Sequence, residues 1–160
     1  MKRFIILFLL IFLVGCNKTA VDNPDVFNNE IAETSNEQNF STFQNNVDYK
    51  PYTREEYELT LSEGKFVFLN FYANWCPICK RERPDVVNAL EEIDRNDLVA
   101  FEVNYNDGET DDNEKMLAKK LGVTYQHTKI IIDKNEKEIF RTLEILNKKD
   151  LKNKILNYLP

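Results

Sequence analysis

Two cysteines separated by two residues carry the most specific chemistry in this 160-residue sequence. Cys76 and Cys79 stand in the segment 74–80, which reads NWCPICK. A thiolate is both a nucleophile and a ligand for soft metal ions, so a pair at this spacing can form a disulfide or hold a metal. The sequence therefore predicts either thiol–disulfide exchange or metal binding at this pair.

The count of other ligands favours exchange. Structural zinc sites normally take four cysteine or histidine ligands. This sequence has three cysteines and one histidine, and the third cysteine, Cys16, closes an apolar N-terminal run. Exchange through a redox-active Cys76–Cys79 disulfide, with no other cofactor, is therefore the leading hypothesis. The alternative is a Cu(I) or Zn(II) carrier that uses Cys76, Cys79 and His127.

The N-terminus has the pattern of an export signal. Lys2 and Arg3 precede the apolar segment 4–14, whose eleven residues are fewer than the ~20 that a membrane-spanning helix needs. Positive charge followed by a short apolar stretch is typical of a secretory signal peptide. The run ends in LVGC at residues 13–16, which resembles the lipobox of bacterial lipoproteins. The resemblance implies cleavage before Cys16, acylation of this cysteine, and an extracytoplasmic protein anchored to the membrane by lipid.

Composition divides the rest of the chain into two parts. Residues 16–48 are polar, rich in asparagine and without a sustained hydrophobic period, so a flexible tether is predicted there after the signal peptide 1–15. Residues 49–160 have the patterning of one packed domain. The net charge is −6, and no basic cluster lies outside the N-terminus. Nucleic acid is excluded as a partner, because phosphate binding needs concentrated positive charge.

Within the domain, helical and strand patterns alternate. Strands are predicted at 65–72, 98–103, 128–132 and 138–143, with a short one near 47–49. Helices are predicted at 53–63, from 77 onward, at 111–121 and around 151–159, the first with a capping box at Thr53 and Glu56 and the third capped by Asp111. The early part requires a parallel crossover and the late part an antiparallel hairpin. An α/β fold follows, with a central mixed sheet and helices on both faces.

A strand, a C-x-x-C pair and a helix in succession are the signature of thioredoxin-like proteins. The domain resembles the thioredoxin superfamily over essentially its whole length. Trp75 stands at that family's tryptophan before the first cysteine, and Pro84 at its helix-kinking proline. With the lipobox, the resemblance implies a thioredoxin-like fold in a membrane-tethered oxidoreductase. It implies protein thiols and disulfides outside the cytoplasm as substrates, and a membrane electron-transfer partner.

Each residue of the pair has a predicted role. Cys76 precedes the first turn of a helix, whose free N–H groups stabilise a thiolate, so it is the expected exposed nucleophile. Cys79, one turn on, is expected to be more buried and to resolve the mixed disulfide. Pro77 opens the helix, since it has no N–H to leave unpaired. The insert of Pro77 and Ile78 resembles those of glutaredoxins and periplasmic oxidants, which implies a potential less reducing than the value of about −270 mV for thioredoxin.

Two positions depart from the family. Asn70 replaces the buried aspartate that moves the proton of the second cysteine, and Glu82 or a water molecule is the candidate to serve instead. His127 falls at the cis-proline of the loop that binds substrate, next to Thr128. A cis bond before a non-proline residue costs about 3–4 kcal/mol, so a trans or displaced loop is expected. Trp75, Pro77, His127 and Thr128 are the predicted supporting residues of the site.

Overall fold

The computed structural model of the chain describes residues 47–160. The predicted signal peptide, the predicted lipidation site Cys16 and the predicted tether up to residue 46 lie outside the described residues. The helices and strands that follow are β1 (Tyr49–Pro51), α1 (Arg54–Ser62), β2 (Phe66–Tyr72), α2 (Pro77–Glu91), β3 (Leu98–Asn104), α3 (Asp112–Lys120), β4 (Lys129–Ile132), β5 (Glu138–Thr142) and α4 (Lys148–Tyr158).

The five strands form one mixed sheet in the order β1-β3-β2-β4-β5. β1 and β2 both pair with β3 in parallel, whereas β4 is antiparallel to β2 and to β5. Successive residues of a strand point to opposite faces of the sheet. Phe68 of β2 accordingly packs into a core cluster with residues of α2 and α4, and Leu69 packs into a second cluster with residues of α1 and α3. The predicted α/β architecture is confirmed.

Strand β2 is central because its sequence, FVFLNFY, suits burial on both faces. Its residues from Phe66 to Phe71 are all buried. Its partner β3 runs parallel to it, and Tyr105 N–H, just past β3, donates to the Tyr72 carbonyl (2.8 Å). The chain leaves β2 at this carboxyl edge and enters α2, which is where α/β sheets place their binding sites.

The helix ends agree with the predicted signals, with one difference. Asp111 and Glu114 form a complete capping box at α3, in which each side chain accepts from the other's backbone N–H. Glu114 also accepts from the backbone N–H of Asn104 (2.7 Å), so the acidic segment before α3 is used to fix the loop. At α1 only half of the predicted box is present: Thr53 accepts from the Glu56 N–H (3.2 Å), while the Glu56 carboxylate contacts Lys50 (3.4 Å).

The domain begins slightly earlier than residue 49. Val47 is buried in the core, and the Asp48 carbonyl accepts from the Ala100 N–H (3.0 Å). The first strand is correspondingly Tyr49–Pro51 rather than the predicted 47–49. The shift arises because pairing with β3, which is distant in sequence, decides where this edge strand starts.

Candidate active site

Cys76 is the N-cap residue of α2, and Pro77 is the first residue of the helix. The backbone N–H of Cys79 donates to the Cys76 sulfur over 3.3 Å. A helix N-terminus carries partial positive charge and unpaired N–H groups, both of which favour an anion at the cap. The geometry therefore suits a thiolate at Cys76, with Cys79 one turn further along the same helix.

Exposure does not separate the two cysteines, which corrects the expectation of an exposed Cys76. Both are free thiols, and they are 4% and 5% exposed, respectively. They form a small cluster with Ala73, against which Tyr72 packs, so the loop itself covers both sulfurs. Burial, reinforced by a hydrogen bond with Cys76, raises the pKa of Cys79 to about 11. Position at the helix N-terminus, rather than exposure, therefore distinguishes Cys76 from Cys79.

The loop between β3 and α3 fixes the approach to the cysteines. Asn74 N–H donates to the Asp107 carboxylate (2.8 Å), and the Trp75 indole N–H donates to the Asn106 carbonyl (3.0 Å). Asn106 adopts a positive φ of 54°, which turns its carbonyl in a tight loop. From the sequence, only the cap of α3 at Asp111 was predicted in this part of the chain. Its contacts join positions more than 30 residues apart, and local pattern gave no signal for them.

The loop before β4, which contains His127 and Thr128 and was predicted to bind substrate, lies beside the end of β2. Phe71 N–H donates to the Thr128 carbonyl (2.8 Å), and the Thr128 hydroxyl donates to the Tyr125 carbonyl (2.7 Å). Tyr125 is 64% exposed, and Trp75 beside the cysteine pair is 51% exposed. Large exposed aromatic side chains of this kind are typical of surfaces that bind protein.

His127 is held in a different way from the family's proline. Its φ is +68°, and its backbone N–H donates to the Phe71 carbonyl over 2.7 Å, a bond that proline cannot make. No cis peptide bond occurs in residues 47–160, so the loop is trans here. The imidazole Nδ1 lies 2.9 Å from Glu82 Oε2. The side chain is thus directed to a buried carboxylate.

The metal-carrier alternative needs Cys76, Cys79 and His127 to lie close enough together to share one ion. Within the described part of the chain, no group of three histidine, cysteine, aspartate or glutamate side chains is arranged to hold a metal ion. Cys76, Cys79 and His127 all belong to that part, and they do not form a three-ligand set. The other imidazole nitrogen, Nε2, is buried without a hydrogen-bond partner.

Glu82 and Lys129 form a buried ion pair near the cysteine pair, and the partly buried His127 contacts Glu82; these three residues are called here the Glu82 cluster. Glu82 Oε2 lies 2.8 Å from Lys129 Nζ as well as near His127, and Glu82 Oε1 accepts from the Leu146 N–H over 2.7 Å. Glu82 and Lys129 side chains are 3% and 0% exposed. Burial alone would raise the pKa of Glu82, but the hydrogen bonds from His127, Leu146 and Lys129 more than offset it and leave the pKa below its ordinary value. Glu82 is therefore held as a carboxylate.

Asn70 takes part in a chain of hydrogen bonds that is separate from the Glu82 cluster. Its side-chain amide donates to the Tyr49 hydroxyl (2.9 Å), which in turn donates to the Glu102 carboxylate (2.8 Å). Arg83 binds the same carboxylate. In the sheet register Asn70 faces Lys129 of β4. The buried acid near the cysteines is thus Glu82 of helix α2, whereas strand β2 carries the uncharged Asn70.

With this geometry established, comparison with known proteins gives the family. The AhpC/TSA family model matches residues 37–157, which is most of the chain. The chain belongs to the AhpC/TSA family. The match includes both cysteines and every residue of the Glu82 cluster.

The AhpC/TSA domain has named relatives. It is 37% identical over 81 residues to "Thiol-disulfide oxidoreductase ResA" of Geobacillus thermodenitrificans, covering 51% of this chain and 44% of that protein. It is 34% identical over 80 residues to the protein of the same name from Halalkalibacterium halodurans, covering 50% of this chain and 43% of that protein. The matched region is thus less than half the length of these curated relatives.

Solved structures show the same fold for this AhpC/TSA domain. Trxlp from Edwardsiella tarda has a TM-score of 0.56 and 25% identity, over 66% of this chain and 96% of that chain. Thioredoxin from Aeropyrum pernix has a TM-score of 0.54 and 22% identity, over 68% and 85% of the two chains. The predicted thioredoxin-like fold is confirmed. Among residues 47–160, no helix combines the length and the apolar character needed to cross a membrane.

Proposed function

We propose that this protein is a thiol–disulfide oxidoreductase, anchored outside the cytoplasm by a lipid on Cys16, that exchanges disulfides with thiols of exported proteins. The observation that carries the proposal is the cysteine pair at the start of α2. The Cys76 sulfur accepts an N–H at the helix cap, and Cys79 lies one turn away. Two relatives that share about a third of the aligned residues bear the name of this activity.

The reaction follows from the positions of the two sulfurs. The Cys76 thiolate attacks a disulfide of the client, forming a Cys76–client bond and releasing one client thiolate. The Cys79 thiolate then attacks the Cys76 sulfur, forming the Cys76–Cys79 disulfide and releasing the second client thiolate. Each client thiolate takes a proton from water. The client gains two electrons and the cysteine pair loses two, and the reverse sequence oxidises a client.

The reaction as written needs no group other than the Cys76–Cys79 pair. Continued turnover in one direction requires a partner that reduces or reoxidises the Cys76–Cys79 pair after each reaction. For this partner we propose a membrane electron-transfer protein. The exposed side chains of Trp75 and Tyr125, with the loop that contains Thr128, are the proposed contact surface for the client. His127 supports this loop through its N–H bond to Phe71.

The reduction potential tests the proposed chemistry. The domain is equilibrated with thiol–disulfide buffers, alkylated and weighed by mass spectrometry. We expect one reversible two-electron transition at a potential less reducing than the value of about −270 mV for thioredoxin. Added Zn(II) is expected to leave this potential unchanged, because a third ligand is not in place beside Cys76 and Cys79. Failure of the two cysteines to form a reversible disulfide would contradict the proposal.

The anchor is tested by replacing Cys16 with serine. The wild-type protein is expected in the membrane fraction, resistant to a salt wash, with acyl chains on an N-terminal Cys16. Cys16→Ser is expected to lose these chains and to be either unprocessed or released, because serine lacks the sulfur that accepts the lipid. Cys76→Ser is the matched control and should remain in the membrane fraction. A wild-type protein that a salt wash removes, with no acyl mass, would show that the anchor is absent.

A further inference from the structure

Lys129 is a buried lysine to which the exchange reaction, as written above, gives no role. It lies at the start of β4, where the strand sequence is KIII, and it is 0% exposed. Taking an ammonium group out of water is costly unless other charges and hydrogen bonds compensate. An apolar residue would fill this position in a buried strand without that cost. The charge at Lys129 therefore calls for a functional explanation.

The position of Glu82 places this charge beside Cys79. Glu82 follows Cys79 by three residues in α2, and side chains at this spacing lie on one face of a helix, with Cβ atoms about 5–6 Å apart. Cys79 and Glu82 are both buried, at 5% and 4% exposure. Lys129 Nζ lies 2.8 Å from Glu82 Oε2. The ammonium group is thus below the first turn of α2, on the side of the helix that carries the Cys79 sulfur.

Several elements surround the ammonium group. Its second hydrogen bond, of 3.4 Å, is to the Glu144 carbonyl. The groups that face it from the elements packed against it are Glu82 and Cys79 of α2, His127 of the preceding loop, Asn70 of β2, Thr142 of β5 and the Glu144 backbone. The Glu144 carboxylate pairs instead with Lys154 (2.8 Å). Glu82 thus supplies the negative charge at Lys129.

We propose that Lys129 is the electrostatic partner of the Cys79 thiolate, and that Glu82 and His127 hold its ammonium group in position. The proposal rests on the proposed exchange function and concerns its second step. There, Cys79 loses its proton to water and attacks the Cys76 sulfur of the mixed disulfide. A positive charge near the buried sulfur lowers the free energy of the thiolate, because solvent screens charges only weakly there.

The directions of the pKa shifts of Cys79 and Lys129 agree with this arrangement. Burial raises the pKa of Cys79 to about 11, and the charge on Lys129 opposes the rise. Burial lowers the pKa of Lys129, whereas the hydrogen bond and charge of Glu82, and then the charge of Cys79, raise it. Each of the two groups therefore favours the charged form of the other.

The test separates the two steps of exchange. Reduced protein is mixed with an aromatic disulfide that releases coloured thionitrobenzoate, and the release is followed by stopped-flow absorbance. The first release reports attack by Cys76, and the second reports attack by Cys79. In Lys129→Met we expect the first rate to stay within about twofold of wild type and the second to fall. A rise of one unit in the pKa of Cys79 removes about nine-tenths of its thiolate but makes the remaining thiolate about threefold more nucleophilic. The second step then slows about three- to fourfold.

Substitution of the partner is expected to slow the second step as well. Glu82→Gln removes the carboxylate that keeps the Lys129 ammonium group charged and in position, so the second step should slow, again by about threefold. Lys129→Arg keeps the charge and should retain the second rate. Lys148→Met is the matched control: Lys148 pairs with Glu92 (2.7 Å) at the other end of α2, in an exposed contact, and neither step should change.

Slowing of the second step alone in Lys129→Met and in Glu82→Gln, with the wild-type rate kept in Lys129→Arg, would support the proposal. Equal slowing of both steps in folded Lys129→Met, or an unchanged second step, would overturn it. If Lys129→Met does not fold, Glu82→Gln decides: a second step as fast as in the wild type overturns the role of Lys129. A wild-type protein that releases no thionitrobenzoate would overturn the exchange function together with this proposal.

Discussion

Replacing Cys76 with serine is expected to lower the rate of disulfide reduction by at least about a thousandfold, because a serine hydroxyl does not supply the attacking thiolate. Cys79 cannot substitute efficiently. Burial raises the pKa of the Cys79 thiol, so little of it is ionised at neutral pH. The measurement is the reduction of insulin in the presence of dithiothreitol, followed by turbidity.

Cys79→Ser provides the informative comparison. The first attack remains, but the resolving thiol is absent, so a mixed disulfide between Cys76 and insulin is expected to accumulate and to appear on a non-reducing gel. Cys76→Ser is expected to trap little. If both variants trap insulin equally, Cys76 and Cys79 do not have the separate roles assigned to them.

Replacing His127 with proline is expected to destabilise the domain by about 3–4 kcal/mol. Although proline is the family residue at this position, His127 has a φ of +68°, which the proline ring does not allow. The substitution also removes the N–H that donates to the Phe71 carbonyl and the imidazole that contacts Glu82. The measurement is urea unfolding, with the free energy of unfolding compared between variant and wild type.

His127→Gly separates the backbone from the side chain. Glycine tolerates a positive φ and keeps the N–H, so only the contact with Glu82 is lost, and a cost of about 1 kcal/mol is expected. The difference between the two variants then measures the contribution of the loop backbone. A His127→Pro protein as stable as wild type would mean that the loop readily adopts the family's proline geometry, contrary to the observed one.

The agreement between sequence and fold is greatest where the signals are local. The run FVFLNFY suits burial on both faces, and Gly64 and Gly122, with φ of 73° and 61°, directly follow the ends predicted for the first and third helices at 63 and 121. Pro77 at the first helical residue and Cys76 at the cap follow from the same local rules. In these cases the residues that decide the structure are within a few positions of one another.

The exposure of Cys76 was predicted wrongly, and the contact of the His127 side chain with Glu82 was not predicted. Proximity to a helix end suggested an exposed thiol, yet the loop packs around it and leaves it 4% exposed. The position of the His127 imidazole depends on Glu82, which is 45 residues away in the sequence. No local pattern reports such a contact.

The sequence by itself determined the reactive pair, its helix and the layered α/β architecture, because hydrophobic period, turn residues and helix caps act over short stretches of chain. Only the tertiary structure decided the surroundings of that pair. Lys129 reaches Glu82 across 47 positions, and Leu146 N–H reaches it across 64. A buried lysine in a strand of isoleucines was visible as an irregularity in KIII. Its partner was not visible, because a buried charge is paired by packing between elements that the chain places far apart.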